Sequence, residues 1–208
     1  MRNASSEWLR LKGRRTGLEK RWEKYAAFTL PRLFTEERWD EDTDELAHDW
    51  QSVGAQAVNH VVNKLMLALF APSRPFMRLE ADPKWLATLP PGLDKSAVDE
   101  ALSQAELDAV KAMDGIQGTR AKLYLSIANL VALGNVCIHL PKEKGTPPRI
   151  YNVAQYVVRR TGAGDLKQAI IRECLAFDEL EPKVQQAIKE SGEGSRYQPD
   201  TKVEYFRQ

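Results

Sequence analysis

The stretch WQSVGAQAVNHVVNKLMLALF, residues 50–70, decides the fold of this 208-residue chain. Its apolar residues recur every three or four positions, a spacing that places them on one side of a helix; they are Trp50, Val53, Ala57, Val61, Leu65 and Leu69. We therefore predict that the longest helix spans about 48–70, roughly 30 Å, with the side containing Val53, Val61, Leu65 and Leu69 buried. Pro72 and Pro75 would end it, because proline has no backbone N–H.

The sequence on either side of this helix predicts further helices, short strands and one hairpin. Helices are expected over about 5–12, 17–28, 94–114, 119–133 and 182–190. Thr16 and Glu19 have the spacing of a capping box, and Gly134 suits the residue after a helix. Strands are expected over 76–80, 136–140, 150–153, 156–160, 166–173 and 203–206, with a hairpin turn at 161–165. These elements predict a mainly helical α+β fold.

The chain divides by composition into four predicted segments. Two basic lead helices occupy 1–34, an acidic loop follows at 35–49, and a helical core spans 50–134. A strand and hairpin region covers 135–208, and we expect it to be incomplete at its C-terminal end, since a terminal strand needs a partner.

Charge is balanced overall, with a formal net charge of +1, but it is unevenly distributed. The lead segment is basic and the next segment is acidic. One interpretation is two solvated surfaces; the other is contact with a neighbouring subunit or with nucleic acid through opposed charge. The candidates for contact with DNA or a neighbouring subunit are Arg14, Arg15, Lys20, Arg21, Arg159 and Arg160.

The sequence offers no convincing catalytic, cofactor or metal site. There is no phosphate-binding GxxxxGK[ST], no GxGxxG and no GxSxG. The histidines, His48, His60 and His139, lack metal spacing, and Cys137 with His139 supplies only two ligands. Asp40, Asp42 and Asp44 alternate as in a calcium loop, but Glu45 and Gln51 replace the required glycine and glutamate. We predict a protein that is not an enzyme and binds no cofactor or metal.

Cysteine usage and hydropathy indicate a protein made in the cytoplasm. Cys137 and Cys174 are far apart, which is typical of a reducing compartment. The longest apolar run, 65–71, is far shorter than the ~20 residues that cross a bilayer, so no membrane association is expected.

Several motifs, in order along the chain, resemble the head-to-tail connector, or portal, family of short-tailed podovirus-type bacteriophages. The family's long helix opens with a similar Trp-Gln-x-x-Gly-Ala and continues into Lys-Leu-Met-Leu-Ala-Leu-Phe, as at 50–55 and 64–70, and an aromatic-x-Arg-Leu strand follows, as at 76–79. Further similarities lie at 28–34, 130–136, 140–141, 156–160 and 176–177. The motif residues that we single out are Trp50, Gly54, Asn59, Lys64, Met66, Phe70, Arg78, Gly134 and Asn135.

The resemblance implies a structural subunit of a twelve-fold ring at one capsid vertex, a virion component assembled in the host cytoplasm. Double-stranded DNA would be packaged and ejected through the ring, and the tail would attach to it. The implied partners are the capsid, the packaging terminase, the tail adaptor and scaffolding proteins. This chain would form the outer wing region of the subunit, since family members are more than twice as long and their stem, clip and crown come later.

Two alternatives to that function stay open at this point. One is a small DNA-binding accessory protein of packaging, and the other is a truncated prophage remnant of a portal. Whether the chain is a fragment or a natural truncation is also left open.

Overall fold

The computed structural model describes residues 3–34, 52–72, 74–88, 90, 94–190 and 197–208. Their helices are α1 (Ala4–Gly13), α2 (Thr16–Thr29), α3 (Val53–Leu69), α4 (Pro83–Leu86), α5 (Lys95–Gly115), α6 (Thr119–Leu133) and α7 (Pro182–Glu190). The strands are β1 (Cys137–His139), β2 (Arg149–Tyr151), β3 (Tyr156–Arg160), β4 (Leu166–Ala176) and β5 (Lys202–Arg207). Short 3-10 turns follow α2 and β4. The predicted mainly helical α+β fold is confirmed.

The chain forms two compact units. We call Met1–Trp50 with Tyr151–Gln208 the discontinuous unit, and Gln51–Ile150 the contiguous unit. The predicted lead helices and the predicted hairpin therefore belong to the same unit, and the acidic loop at 35–49 lies outside the described residues.

The discontinuous unit is built on a three-stranded antiparallel sheet in the order β3-β4-β5. The hairpin predicted at 161–165 joins β3 to β4, and Gly164 there has φ +95°, a conformation open to glycine at no steric cost. Helix α1 packs Trp8 and Leu11 on Val157 and Ile170 of the sheet. The Trp8 ring also meets Phe206 of β5 edge-on at 6.0 Å between centroids, so the two ends of the described chain share one small core.

The contiguous unit centres on the packing of α3 against α6. Val58 and Val62 are the buried residues of α3, and Val62 is completely buried. Helix α6 buries four consecutive residues, 126–129, because it is apolar on most sides. Gly134 ends α6 with φ +74°, and its N–H donates to the carbonyl of Leu130, as predicted for a glycine after a helix. Strands β1 and β2 form a separate two-stranded sheet.

Within this chain, the side of α3 that was predicted to be buried is largely exposed. Val53, Val61 and Leu69 are exposed by 69%, 43% and 53%, and Leu65 is only half-buried. The buried side runs through Val58 and Val62, about one residue's rotation (100°) away. The difference has a physical reason: α3 is apolar on more than one side, and spacing alone does not say which side the chain itself covers.

Three other local expectations differ from the structure. Among the described residues the longest helix is α5, which has 21 residues, whereas α3 has 17. The predicted start of α3, before Ser52, lies outside the described residues. Residues 76–80 form no strand, since the Leu79 N–H donates to the Glu106 carboxylate at 2.6 Å instead of pairing with backbone.

The predicted capping box also does not form. Arg15, not Thr16, precedes the first turn of α2. The Thr16 hydroxyl donates to the Gly13 carbonyl at 2.7 Å, and the Glu19 carboxylate accepts a hydrogen bond from Arg15 at 2.9 Å.

Within the described ranges, no helix is both long enough and apolar enough to span a membrane.

Candidate assembly surfaces

Arg15 is held inside the discontinuous unit, although the sequence suggests it for contact with DNA or a neighbouring subunit. Its guanidinium donates to the backbone carbonyls of Val153 and Tyr156 at 2.8 and 2.7 Å. It also pairs with Glu19 at 2.9 Å and lies 5.6 Å from the centre of the Trp22 ring. One of these carbonyls precedes β3 and the other belongs to its first residue, so Arg15 joins the start of α2 to the sheet.

The other basic candidates lie on the surface of the same unit. Arg14, Lys20, Arg21 and Arg159 are exposed, and so is Arg160, which donates to the Gly164 carbonyl at 2.9 Å across the hairpin. Exposed cations of this kind can contact phosphates, but an exposed side chain is also the ordinary state of lysine and arginine.

The family-motif residues of α3 divide between the packed side and the surface. Gly54 and Met66 are half-buried, while Asn59 accepts a hydrogen bond from the Tyr124 hydroxyl of α6 at 2.9 Å. Lys64 is exposed. The motif residues of α3 therefore include Asn59, which contacts α6, and Lys64, which faces solvent. Trp50 lies outside the described residues.

Phe70 anchors the C-terminal end of α3 to the start of α6. Its carbonyl accepts from Arg120 at 2.6 Å, and its ring lies 5.9 Å from that of Phe76. Arg120 also binds both carboxylate oxygens of Asp114, at 2.7 and 2.9 Å. Sequence reasoning missed this bidentate pair. The available signal was an aspartate before Gly115 and an arginine shortly after Gly118.

The remaining motif residues are exposed. Arg78 and Glu80 form an ion pair at 3.3 Å with both side chains largely in solvent, at 83% and 75% exposure. Such pairs contribute about 0–1 kcal/mol to the free energy of unfolding. The ion pair therefore gives Arg78 little role in the stability of this chain. Asn135 follows Gly134 and is also exposed.

The part of the chain that the structure describes contains no group of three or more acidic, histidine or cysteine side chains placed to hold a metal ion. Cys137 and His139 are both half-buried on β1. Burial raises the pKa of the Cys137 thiol, and a raised pKa leaves less of the reactive thiolate near neutral pH.

Comparison of the sequence with known proteins identifies a family. A sequence profile described as bacteriophage head to tail connecting protein matches residues 2–204. The chain belongs to this family. The predicted resemblance is thereby confirmed.

Relatives of this chain include three curated phage proteins. The portal protein of Escherichia phage T7 is 34% identical over 209 aligned residues, covering 98% of this chain and 38% of its own length. The portal proteins of Enterobacteria phages T3 and SP6 are 36% and 30% identical, covering 91% and 93% of this chain. The chain thus spans less than two fifths of the length of these relatives, at 38%, 35% and 39%.

Proposed function

We propose that this chain is the N-terminal, wing part of a structural subunit of a phage portal ring, the connector at one capsid vertex through which double-stranded DNA is packaged and ejected. The observation that carries the proposal is the family match over residues 2–204, together with relatives that are each named portal protein. In the full-length protein we expect a homo-oligomer of twelve subunits.

The architecture supports a structural role over a catalytic one. Several polar side chains join elements of the fold: Arg15 binds two backbone carbonyls, Arg120 binds one carbonyl and a carboxylate, and the Tyr124 hydroxyl donates to Asn59. The proposed partners are therefore those of a virion part: capsid and scaffolding proteins, the packaging terminase, a tail adaptor and the DNA in the channel.

The test replaces the matching segment of the T7 portal protein with this chain. We expect the chimera to form rings visible by electron microscopy and to support growth of a T7 phage that lacks its own portal gene. A control chimera carries the same segment with Val62→Asp, which places a charge in the α3–α6 contact and is expected to abolish ring formation. A well-folded chimera that forms no rings and supports no growth would contradict the proposal.

A further inference from the structure

Helix α2 carries three cations on the side opposite to its buried residue. That residue is Ala26, and Lys24, two residues earlier, lies about 200° around the helix from it. Lys20 and Arg21 lie within about 60° of Lys24 on the same side, and Tyr25 borders them. We call Lys20, Arg21, Lys24 and Tyr25 the outer side of α2; all four are exposed, Tyr25 by 51%.

The carboxylates of the two lead helices do not neutralise the outer side of α2. Glu19 pairs with Arg15 at 2.9 Å, and Glu7 of α1 pairs with Arg10. Glu23 is exposed, but it lies about 60° from the buried residue and so at the edge of the packed side. Across the described parts of the chain, none of the three cations of the outer side forms an ion pair.

This arrangement opposes helix stability, so the folding of the unit does not account for it. Lys20 and Lys24 are four residues apart, and Arg21 and Lys24 are three apart, spacings at which like charges repel on a helix surface. Helix α2 has no basic residue in its last turn, where a cation would interact favourably with the helix dipole. A polyanion bound along the outer side would remove the repulsion.

We propose that the outer side of α2 binds the sugar–phosphate backbone of duplex DNA. The proposal rests on the proposed function for the presence of DNA, and it assigns a DNA contact to the N-terminal part of the subunit. Lys20 and Lys24 are about 6 Å apart along the helix axis, and the phosphates of one DNA strand recur every 3.4 Å or so of duplex axis. Lysine, arginine and the tyrosine hydroxyl are all groups that contact phosphates.

The chemistry of the outer side suits a regular polyanion. Its cations lie on long side chains without fixed partners, so they can reach successive phosphates but cannot form the rigid, buried site that a single anionic group requires. Phosphate contacts position DNA without reading its sequence, as a protein that handles a whole genome needs. Leu18 and Phe28, 42% and 41% exposed on the same helix, would also suit an anionic lipid surface, so lipid is one arm of the test.

The salt dependence of DNA binding tests the contact. The full chain is titrated against a fluorescein-labelled duplex of about 20 base pairs, and the dissociation constant is measured by anisotropy at several salt concentrations. Replacing Lys20, Arg21 and Lys24 together by glutamine should lower the slope of log K against log salt by about 2–3, since each phosphate contact contributes about 0.9. No binding by the parent chain at low salt, or an unchanged slope in the variant, would overturn the proposal.

A matched variant separates the outer side of α2 from total charge. Lys122→Gln, Lys142→Gln and Lys144→Gln together remove the same charge from exposed positions of the contiguous unit, and this variant should keep the slope of the parent. Equal losses in the two variants would show that net charge, and not α2, governs binding. The acidic sequence at 35–49 is the same in both variants, and circular dichroism checks that each is folded.

A conservative variant and two other probes complete the test. Lys20→Arg, Arg21→Lys and Lys24→Arg together keep the charge and should keep DNA binding. Poly-L-glutamate and vesicles containing phosphatidylserine then replace the duplex, and the glutamine variant of α2 should change the binding of DNA more than that of either probe. A larger effect on polyglutamate or on vesicles would assign the outer side to an acidic protein or to a membrane, against the proposal.

The outcomes separate this proposal from the proposed function. If the T7 chimera forms rings and supports growth while the chain does not bind duplex DNA through α2, the DNA contact is wrong and the portal role stands. If the chimera fails while the glutamine variant of α2 loses its salt slope, the DNA contact stands and the portal role fails.

Discussion

At the scale of single residues, the two arginines at 14 and 15 have different roles despite identical chemistry. Arg14 is exposed, whereas the Arg15 guanidinium binds two carbonyls, a carboxylate and an aromatic face. Sequence reasoning grouped them, because neighbouring helix-start residues give no sign of which one points at the sheet. The carbonyls that Arg15 satisfies belong to residues 153 and 156, which are far away in sequence and come close only in the folded unit.

We predict that Arg15→Ala destabilises the discontinuous unit by about 2–4 kcal/mol, because it removes charged hydrogen bonds and leaves part-buried carbonyls unsatisfied. Arg15→Lys should recover only part of the loss, since an ammonium group cannot span both carbonyls in a planar fork. Urea unfolding followed by tryptophan fluorescence measures the effect. Arg14→Ala is the control, with an expected change within about 0.5 kcal/mol; equal losses for the two variants would contradict the assignment.

Two glycines should respond to alanine with opposite signs. Gly134→Ala forces a side chain into the left-handed region at φ +74° and should cost about 1–2 kcal/mol. No atom lies within 4 Å of the added methyl group, so the cost comes from the backbone alone. Gly17→Ala, in the first turn of α2 and with equally open space, should stabilise by about 0.4–1 kcal/mol. Thermal unfolding of both variants decides; a stabilising Gly134→Ala would refute the backbone argument.

At the scale of elements, adjacent valines on α3 separate its two sides. Val62 is completely buried, and Val61 is 43% exposed. We predict that Val62→Ala costs about 1.5–3 kcal/mol through lost burial and a residual cavity, while Val61→Ala costs less than about 0.5 kcal/mol in the isolated chain. Denaturant titration of the two variants measures this, and a larger loss at Val61 would show that the packed side has been misplaced.

The sequence predicted the positions of the helices and strands better than their tertiary contacts. Caps, glycines and prolines act locally, so α1, α2, α6, α7 and the β3–β4 hairpin were located within one or two residues, except that β4 continues to Ala176. The side of α3 that packs depends on α6, some sixty residues later, and the spacing of Val53, Val61 and Leu69 carries no information about that partner. The absent strand at 76–80 has a similar cause: in the described residues the Leu79 N–H meets the Glu106 carboxylate, and no neighbouring strand pairs with this segment.

The candidate site was predictable to a smaller extent. The family motif singled out Asn59 and Phe70 but did not indicate that they contact Tyr124 and Arg120 of α6. Arg120 was missed because its structural role depends on two contacts together, a hydrogen bond to the Phe70 carbonyl and an ion pair with Asp114. Contacts of this kind depend on tertiary structure, which single-residue patterns do not encode.

At the scale of the whole molecule, the expected assembly state follows from the contacts that this chain can offer a neighbour. Exposed ion pairs contribute about 0–1 kcal/mol each, and a full-length portal would add contacts from regions beyond this chain. We predict that the isolated 208-residue chain is monomeric or weakly associating at micromolar concentration. Light scattering and native mass spectrometry measure this, with the T7 chimera as the comparison. A stable twelve-mer of the isolated chain would contradict the prediction.

The contact of Trp8 with Phe206 has a consequence for synthesis on the ribosome. These residues are separated by 198 positions, which take roughly 10–40 s to translate at about 5–20 residues per second. Helix α1 emerges first but lacks its aromatic partner until the last strand has been made, whereas residues 51–150 are consecutive and can fold during that interval. The nascent chain therefore leaves helix α1 without its Phe206 contact until β5 has been synthesised, and completion of the discontinuous unit reports that β5 is present.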